Sequence, residues 1–551
     1  MTVVSINRRT VKRLALGALS GLLAGYAALA AAELTASLVR PQAGPVTVIG
    51  GAAIDRTPPA LKDFAIRTFG ENDKLVLQLG ILATVGLLAA ALGMTALRHR
   101  RTGAAGILAF GLLGAGAALG RPDSAGAGDV LPSLVGAVAG SLVLFLLVGR
   151  VSGLPAEAPT EVPGQLSVGD GDGDGIDDGA DASPRPPGPW NRRGFLVAAV
   201  TTALAATGAG ALGRSLTGRR GRGAVASRAA VRLPAPASAA AAIPSGAGLP
   251  IPGVSSFTTP NQDFYRVDTA LVVPRIDADT WSLRIHGKGI SRPRAYSFAD
   301  LLQRPLIERD ITLTCVSNEV GGPYAGSARW LGVRLSDLLR EAGARAPSDG
   351  GRADQLIARS VDGMTLGTPV EEVLDGRDAM LALGMNGEPL PFEHGFPVRM
   401  VVPGLYGYVS ACKWIQDIEL TTFDAYDPYW VKRGWARRAP VKTQARIDTP
   451  KPFGRVPAGT VTVAGVAWAQ HRGIRRVEVR VDDGPWQEAR LAEQATSDTW
   501  RQWSFPWPTT SGGHHLTVRA TDGTGEVQTE RRTRTIPDGA SGWHSVFVTA
   551  G

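Results

Sequence analysis

Four runs in the first 150 residues constrain this chain more than any other feature. Residues 14–38, 75–97, 103–119 and 131–149 are long and apolar, and their central parts carry no formal charge. About 20 such residues cross the ~30 Å hydrocarbon layer as a helix, whereas helices of a soluble Ala-rich bundle would each carry a polar stripe. The pattern predicts four transmembrane helices within residues 1–150. Lys and Arg set their orientation. "NRRTVKR" precedes the first run, "RHRR" at 98–101 separates the second from the third, and the loop at 121–129 is nearly neutral, which keeps the N-terminus in the cytoplasm. Four crossings return the chain to that side.

Residues 151–190 form a Pro-rich, acidic cytoplasmic linker. Within it "DGDGDGIDDGAD", 170–181, places acidic oxygens at several positions of a calcium loop, but Pro-rich flanks stand where the paired helices would be, so it reads as a solvated spacer. Residues 191–213 then bring Arg192 and Arg193 ahead of a modest apolar run. Two readings stay open: a twin-arginine export signal, which serves proteins that fold before crossing, or an ordinary fifth span flanked by arginines. Both put the remainder outside the cytoplasm, on the outer face of a multi-pass cell-membrane protein. Residues 214–252, rich in Ala, Pro, Ser and Gly, are expected to be a tether.

From residue 253 the composition becomes that of soluble domains. Fifty-eight Lys and Arg against 49 Asp and Glu give a net charge of +9, scattered over a mixed-sign surface with no base-reading motif, so nucleic acid is excluded as a partner. Two cysteines build no disulfide framework. In 253–435, strand-like "WSLRIHG" and "RDITLTCVS" alternate with "SFADLLQR" and "RLSDLLREAG", two amphipathic helices each expected to be capped by its Ser; this order suits an α+β domain. In 436–551 apolar and polar residues alternate between Asp-Gly or Gly-rich turns, as in a β-sandwich.

Cys315 ends a β-branched strand and opens an Asn/Glu/Gly-rich turn. On its own it fits a buried filler, half of a disulfide with Cys412, a nucleophile or a metal ligand. A thiolate is a soft ligand suited to a metal already held by cofactor sulfurs, and a strand end aims it rigidly.

"TPNQDFYRVDT", "TLTCVSNEVGG", "ARWLGVRLSDLL", "MNGEPLPFEHGFPVRMVVPGLYGYVSACKWI" and the closing "PDGASGWHSVFV" occur in that order. From residue 257 to the C-terminus they resemble the sulfite oxidase family of molybdopterin-dependent oxidoreductases. Together with the four apolar runs, which give an N-terminal α-helical transmembrane region, the resemblance implies a multidomain chain with an α+β molybdopterin domain of the sulfite oxidase type and a C-terminal immunoglobulin-like dimerisation domain. It implies that Cys315 supplies the protein's sulfur to molybdenum. Asn261, Tyr265, Arg266, Asp362, His394, Arg399, Ser410 and Lys413 would hold the molybdopterin. Arg266 would also stabilise substrate or the oxo group. Cys412 matches no required position, and a Cys315–Cys412 disulfide would consume the ligand.

Two departures from the family bear on substrate. Val316, Ser317, Asn318 and Glu319 follow the cysteine where sulfite oxidases carry an arginine. Tyr408, Val409 and Ser410 stand where another arginine is expected. A dianion near an oxo group needs compensating charge. The expectation is two-electron oxygen-atom transfer on a small molecule, either sulfite-like or an S- or N-oxide. None of the seven histidines falls in an expected span, so no haem is expected, and a separate redox partner is implied. The lipid bilayer and a homodimer through the C-terminal domain complete the expected partners. The competing reading is a transporter or receptor with a non-catalytic outer domain; the spans lack the buried charges that substrate pathways carry.

Overall fold

The computed structural model describes residues 8–58, 61, 68–69, 73–121, 124, 126–151 and 192–551. The calcium-loop pattern at 170–181 lies outside the described residues. The chain divides into two compact units, Met1–Gly218 and Arg219–Gly551.

The first unit is helical: α1 (Arg8–Val39), α2 (Pro45–Arg56), α3 (Asp73–Ala96), α4 (Arg100–Leu119), α5 (Leu131–Val151) and the start of α6 (Arg192–Ala230). Apart from α2, each is long and apolar enough to cross a membrane. The unanticipated α2 spans 12 residues and opens with Pro45, whose missing N–H costs nothing in a first turn. α1 packs against α3 and α5, and α4 against α5. A methyl on Gly21 would lie 1.9 Å from the Ala89 carbonyl oxygen, so small residues set how closely α1 and α3 approach. Leu144, Leu147 and Val148 are buried, while Leu87, Leu113 and Leu204 are about 70 % exposed. Large aliphatic side chains facing outward along whole helices suit lipid contact.

In the second unit two sheets carry the candidate site. Its first ten strands are β1 (Ser282–Gly287), β2 (Arg294–Ser297), β3 (Leu306–Thr314), β4 (Ala325–Arg334), β5 (Gln355–Ser360), β6 (Thr365–Pro369), β7 (Met380–Met385), β8 (Glu388–Pro389), β9 (Arg399–Val401) and β10 (Ile415–Thr421). One sheet runs β3-β4-β7-β8, with β9 also paired to β7; the other runs β2-β1-β10-β5-β6. In the second sheet β1 is parallel to β10 and the remaining pairs are antiparallel. Trp330, Leu283, Ile285, Leu301, Ile311 and Phe396 fill the core. The helix Phe298–Leu302 has the expected start, a capping box between Ser297 and Asp300. The helix Leu335–Glu341 does not: it begins one residue before Ser336, its N-cap is Arg334 without a side-chain bond, and Ser336 is buried. Leu335 is fully buried, and seating it in the core sets the start.

The remaining strands are β11 (Gln444–Thr449), β12 (Arg455–Val456), β13 (Gly459–Trp468), β14 (Ile474–Val481), β15 (Gln487–Glu488), β16 (Arg490–Leu491), β17 (Arg501–Thr509), β18 (Gly512–Asp522) and β19 (His544–Ala550). They form a β11-β13-β17-β16 sheet and a β12-β19-β18-β14-β15 sheet, as the alternating pattern predicts. Along β19, Val546, Val548 and Ala550 turn inward and Ser545 and Thr549 outward. Val463, Trp503, Phe505, Leu516 and Val518 share that core.

The stretch 214–252 is not the free tether its composition suggests. It is helical to Ala230. Beyond that, the Ser238 N–H donates to the Leu306 carbonyl (3.2 Å), and the Ser238 carbonyl accepts from the Glu308 N–H (2.9 Å). Farther on, the Gly246 carbonyl accepts from the Glu493 N–H (3.0 Å), the Leu249 N–H donates to Gln502 Oε1 (2.5 Å), and Ala247 is buried. Low side-chain complexity does not remove the backbone's donors and acceptors, and here they pair with β3 and with the sandwich.

Candidate active site

β3 aims Cys315, and the loop after it is closed by its own polar groups. The Cys315 N–H donates to the Tyr324 carbonyl, and the Cys315 carbonyl accepts from the Asn318 N–H, both at 3.0 Å. Asn318 Oδ1 accepts from the Tyr324 N–H at 2.8 Å. Asn318 therefore ties both arms of the turn, as Asn side chains do where a chain reverses.

A second arm comes from the turn Phe392–His394, after which Gly395 adopts φ +112° and Phe396–Pro397 is cis. A Cβ on Gly395 would sit 3.2 Å from Arg399 Cβ and from Lys413 Cα, so glycine lets three segments converge. The Met400 N–H donates to the Cys412 carbonyl (2.9 Å), placing the Cys412–Trp414 segment beside β9.

Between these arms lies a cleft of about 860 Å³, part of it open to solvent. Tyr265, Asp268, Cys315, Ser317, Asp362, His394, Arg399, Tyr408, Cys412, Lys413, Trp430 and Trp435 are among its lining residues. Of the residues expected from sequence, Cys315, Tyr265, Asp362, His394, Arg399 and Lys413 come together there. Three do not line it. Asn261 supports the site from behind: its carbonyl lies 3.0 Å from His394 Nε2, and its amide bonds Glu388 and Asn386. Ser410 Oγ donates to the Leu405 and Tyr406 carbonyls and serves the local fold. Arg266 is 37 % exposed and turns its Nε to Asp268 Oδ2 at 2.9 Å. The cations that line the cleft are instead Arg399 and Lys413.

Their environment is electrostatically uneven. Arg399 is 6 % exposed, lies 5.1 Å over the Trp330 ring, and donates from Nη1 to the His394 carbonyl at 3.4 Å; its Nε has no hydrogen-bond partner among the described residues. Burial draws it down to about 10. Lys413 donates to Asp268 Oδ2 (2.7 Å) and to the Glu393 carbonyl (3.1 Å), and burial lowers it to about 8 against the pull of Asp268. Both are cationic at neutral pH. Burial, followed by the Arg399 charge, lowers His394 to about 4, so its imidazole is neutral and donates Nε2–H to Asn261. Burial pushes the Cys315 thiol up, opposed by hydrogen bonds from Ser317 and the Lys413 charge; burial also raises Cys412, and both thiols are free.

A buried guanidinium with an unpaired Nε beside a buried ammonium fits an anionic group with several acceptor oxygens, such as a phosphate. A buried thiol becomes a thiolate when a metal compensates its charge. The donor set thus fits a phosphate-bearing pterin and a metal at Cys315. The sequence marks no role for Asp268, or for Trp430 and Trp435 in the cleft's aromatic wall, and it marks Asn318 and Tyr408 only as standing where the family's arginines are missing. The density of aromatics in "YDPYWVKRGW" was the available signal for the wall. Nothing local marks Asp268, whereas Asn318 lies in the Asn/Glu/Gly-rich turn that follows Cys315.

An oxidoreductase molybdopterin binding domain family matches residues 270–430, and a bacterial Ig domain family matches 444–518. Mitochondrial sulfite oxidase of Homo sapiens is 30 % identical over 307 residues, covering 48 % of this chain and 55 % of the relative. Sulfite oxidase of Gallus gallus is 30 % identical over 318 residues, covering 49 % and 68 %. The chain spans about half the length of the mammalian relatives it matches. Among solved structures, the sulfane dehydrogenase SoxCD of Paracoccus pantotrophus aligns with a TM-score of 0.46 and 26 % identity, covering 53 % of this chain and 81 % of that one.

Proposed function

Because the chain belongs to the sulfite oxidase family of molybdopterin-dependent oxidoreductases, we propose that it is a membrane-anchored, extracytoplasmic enzyme of two-electron oxygen-atom transfer. Its substrate is an S- or N-oxide in preference to sulfite. The observation that carries this reading is the convergence on one cleft of Cys315, the unpaired Nε of Arg399 and Lys413.

When bound, the molybdenum cofactor supplies the oxygen-atom exchange and the redox change. The chain supplies the rest. Cys315 would give the metal its protein sulfur from a strand end braced by Asn318. Arg399 and Lys413 would bind the cofactor's anionic tail, with Asp362 and neutral His394 lining the same cleft. Tyr265 and the aromatic wall enclose the substrate side; Tyr408 and Trp435 are 5.5 Å apart, and Trp430 and Trp435 6.1 Å apart. That wall stands where the family's second arginine is absent, and it favours a polarised S=O or N–O group with apolar substituents over a dianion. Reduction of such an oxide consumes two electrons and two protons and releases water. A separate redox partner supplies the electrons.

The anchoring rests on the apolar helices, and the outward placement of the second unit on the Lys and Arg asymmetry of their loops. The test is turnover of the purified full chain with a reduced artificial carrier against a panel of S- and N-oxides, and with an oxidised carrier against sulfite. Reduction of oxides with little sulfite oxidation supports the proposal; sulfite oxidation alone refutes the substrate assignment.

A further inference from the structure

The strand that ends at Cys315 is an edge of its sheet, and the immunoglobulin-like domain covers that edge. Gln470, 1 % exposed, reaches from the loop between β13 and β14 and donates from Nε2 to the Thr312 carbonyl (3.0 Å) and to Thr314 Oγ1 (2.8 Å). Thr314 directly precedes Cys315. The Thr312 N–H donates to the Asp498 carbonyl (2.9 Å), and Thr312 Oγ1 accepts from the Trp500 N–H (2.8 Å). On the far side of the turn, Arg446 Nη1 donates to the Gly322 carbonyl (2.8 Å), and the His544 ring covers Gly321 so closely that a Cβ there would lie 2.2 Å from His544 Cδ2. The same domain thus grips both ends of the segment 312–322.

Gln470 Oε1 is buried without a hydrogen-bond partner among the described residues. A half-satisfied buried amide is costly where an apolar side chain of similar size would fit, so its donating end is what the position uses. We propose that Gln470 is a positioning residue: through Thr314 it sets where the Cys315 sulfur points, making the C-terminal domain part of the active-site scaffold as well as a candidate dimer module. This rests on the reading of Cys315 as the metal ligand.

The experiment compares full-length wild type, Gln470→Leu, Thr314→Val, the double variant, and Val518→Ala, a core change in the same domain remote from β3. All are made in a Cys412→Ala background and purified without cofactor. Amide hydrogen exchange over residues 312–322 and the alkylation rate of Cys315 are read alongside the melting temperature. Gln470→Leu is expected to speed both rates about tenfold. The double variant is expected to match Gln470→Leu, with Thr314→Val moving the rates less because the bond to the Thr312 carbonyl survives, and Val518→Ala to melt lower without moving either rate. Unchanged rates in Gln470→Leu, or equal acceleration in Val518→Ala, would overturn the proposal. X-ray absorption of the loaded wild type separates the two ideas, because a molybdenum without protein sulfur defeats the ligand reading while the exchange contrast stands.

Discussion

Replacing Arg399 with Met should move stability and cofactor retention in opposite directions. In the cofactor-free chain the guanidinium is 6 % exposed, and burial draws its pKa well below the usual guanidinium range, to about 10. At 1.36 kcal/mol per unit, keeping it charged there costs about 3 kcal/mol. Its position over Trp330 returns about 1–2 kcal/mol, and Met keeps part of that contact. The cofactor-free Arg399→Met chain should therefore gain about 1–2 kcal/mol, which raises its melting temperature by about 2–4 °C. In the loaded enzyme the same change removes charge-assisted bonds to the cofactor's anion worth about 2–3 kcal/mol, so retention should weaken roughly 30- to 150-fold. The assay pairs thermal melting of chain made in cells unable to synthesise molybdopterin with molybdenum per chain from competent cells. An Arg399→Met chain that melts lower without cofactor, or that retains molybdenum as wild type does, would refute the assignment of Arg399 as an anion site held in waiting.

Two further outcomes follow from the same cleft. His394 is held neutral in the folded chain at about 4 and returns to 6.5 on unfolding, so the unfolded state binds more protons between those values. Stability is present above pH 6.5 and is lost as pH falls toward 4; between pH 7 and pH 5 the cofactor-free chain should lose about 2 kcal/mol, and a His394→Asn variant should lack that part of the slope in a denaturant titration. Gly395→Ala forces a side chain into φ +112° and against Arg399 and Lys413. It should cost about 1–3 kcal/mol and lower molybdenum content, and an unchanged melting temperature would show that the three segments do not need this turn.

What the sequence made legible follows from the range of the physics involved. Long uncharged runs announce helices because burial in lipid needs only length and hydropathy, and the alternation along β19 announces a two-sided strand. Ser297 was readable as a cap because Asp300 completes a local motif, whereas Ser336 was not, since the core position of Leu335 decides where that helix starts. Arg266 and Arg399 look alike in sequence. Only the fold leaves one half-exposed and tied to Asp268 and buries the other over Trp330. Composition misleads over 214–252 because it reports side chains, whereas the order there comes from backbone groups that pair with β3 and with Gln502. Gln470 illustrates the same limit, acting on Cys315 from 155 residues away in sequence.

X-ray absorption at the molybdenum edge of fully loaded wild type and Cys315→Ser addresses the central claim most directly. The expected result is one protein sulfur bound to molybdenum in the wild type, replaced by a lighter scatterer in the variant, with oxygen-atom transfer abolished. The same sulfur count in both proteins would contradict it.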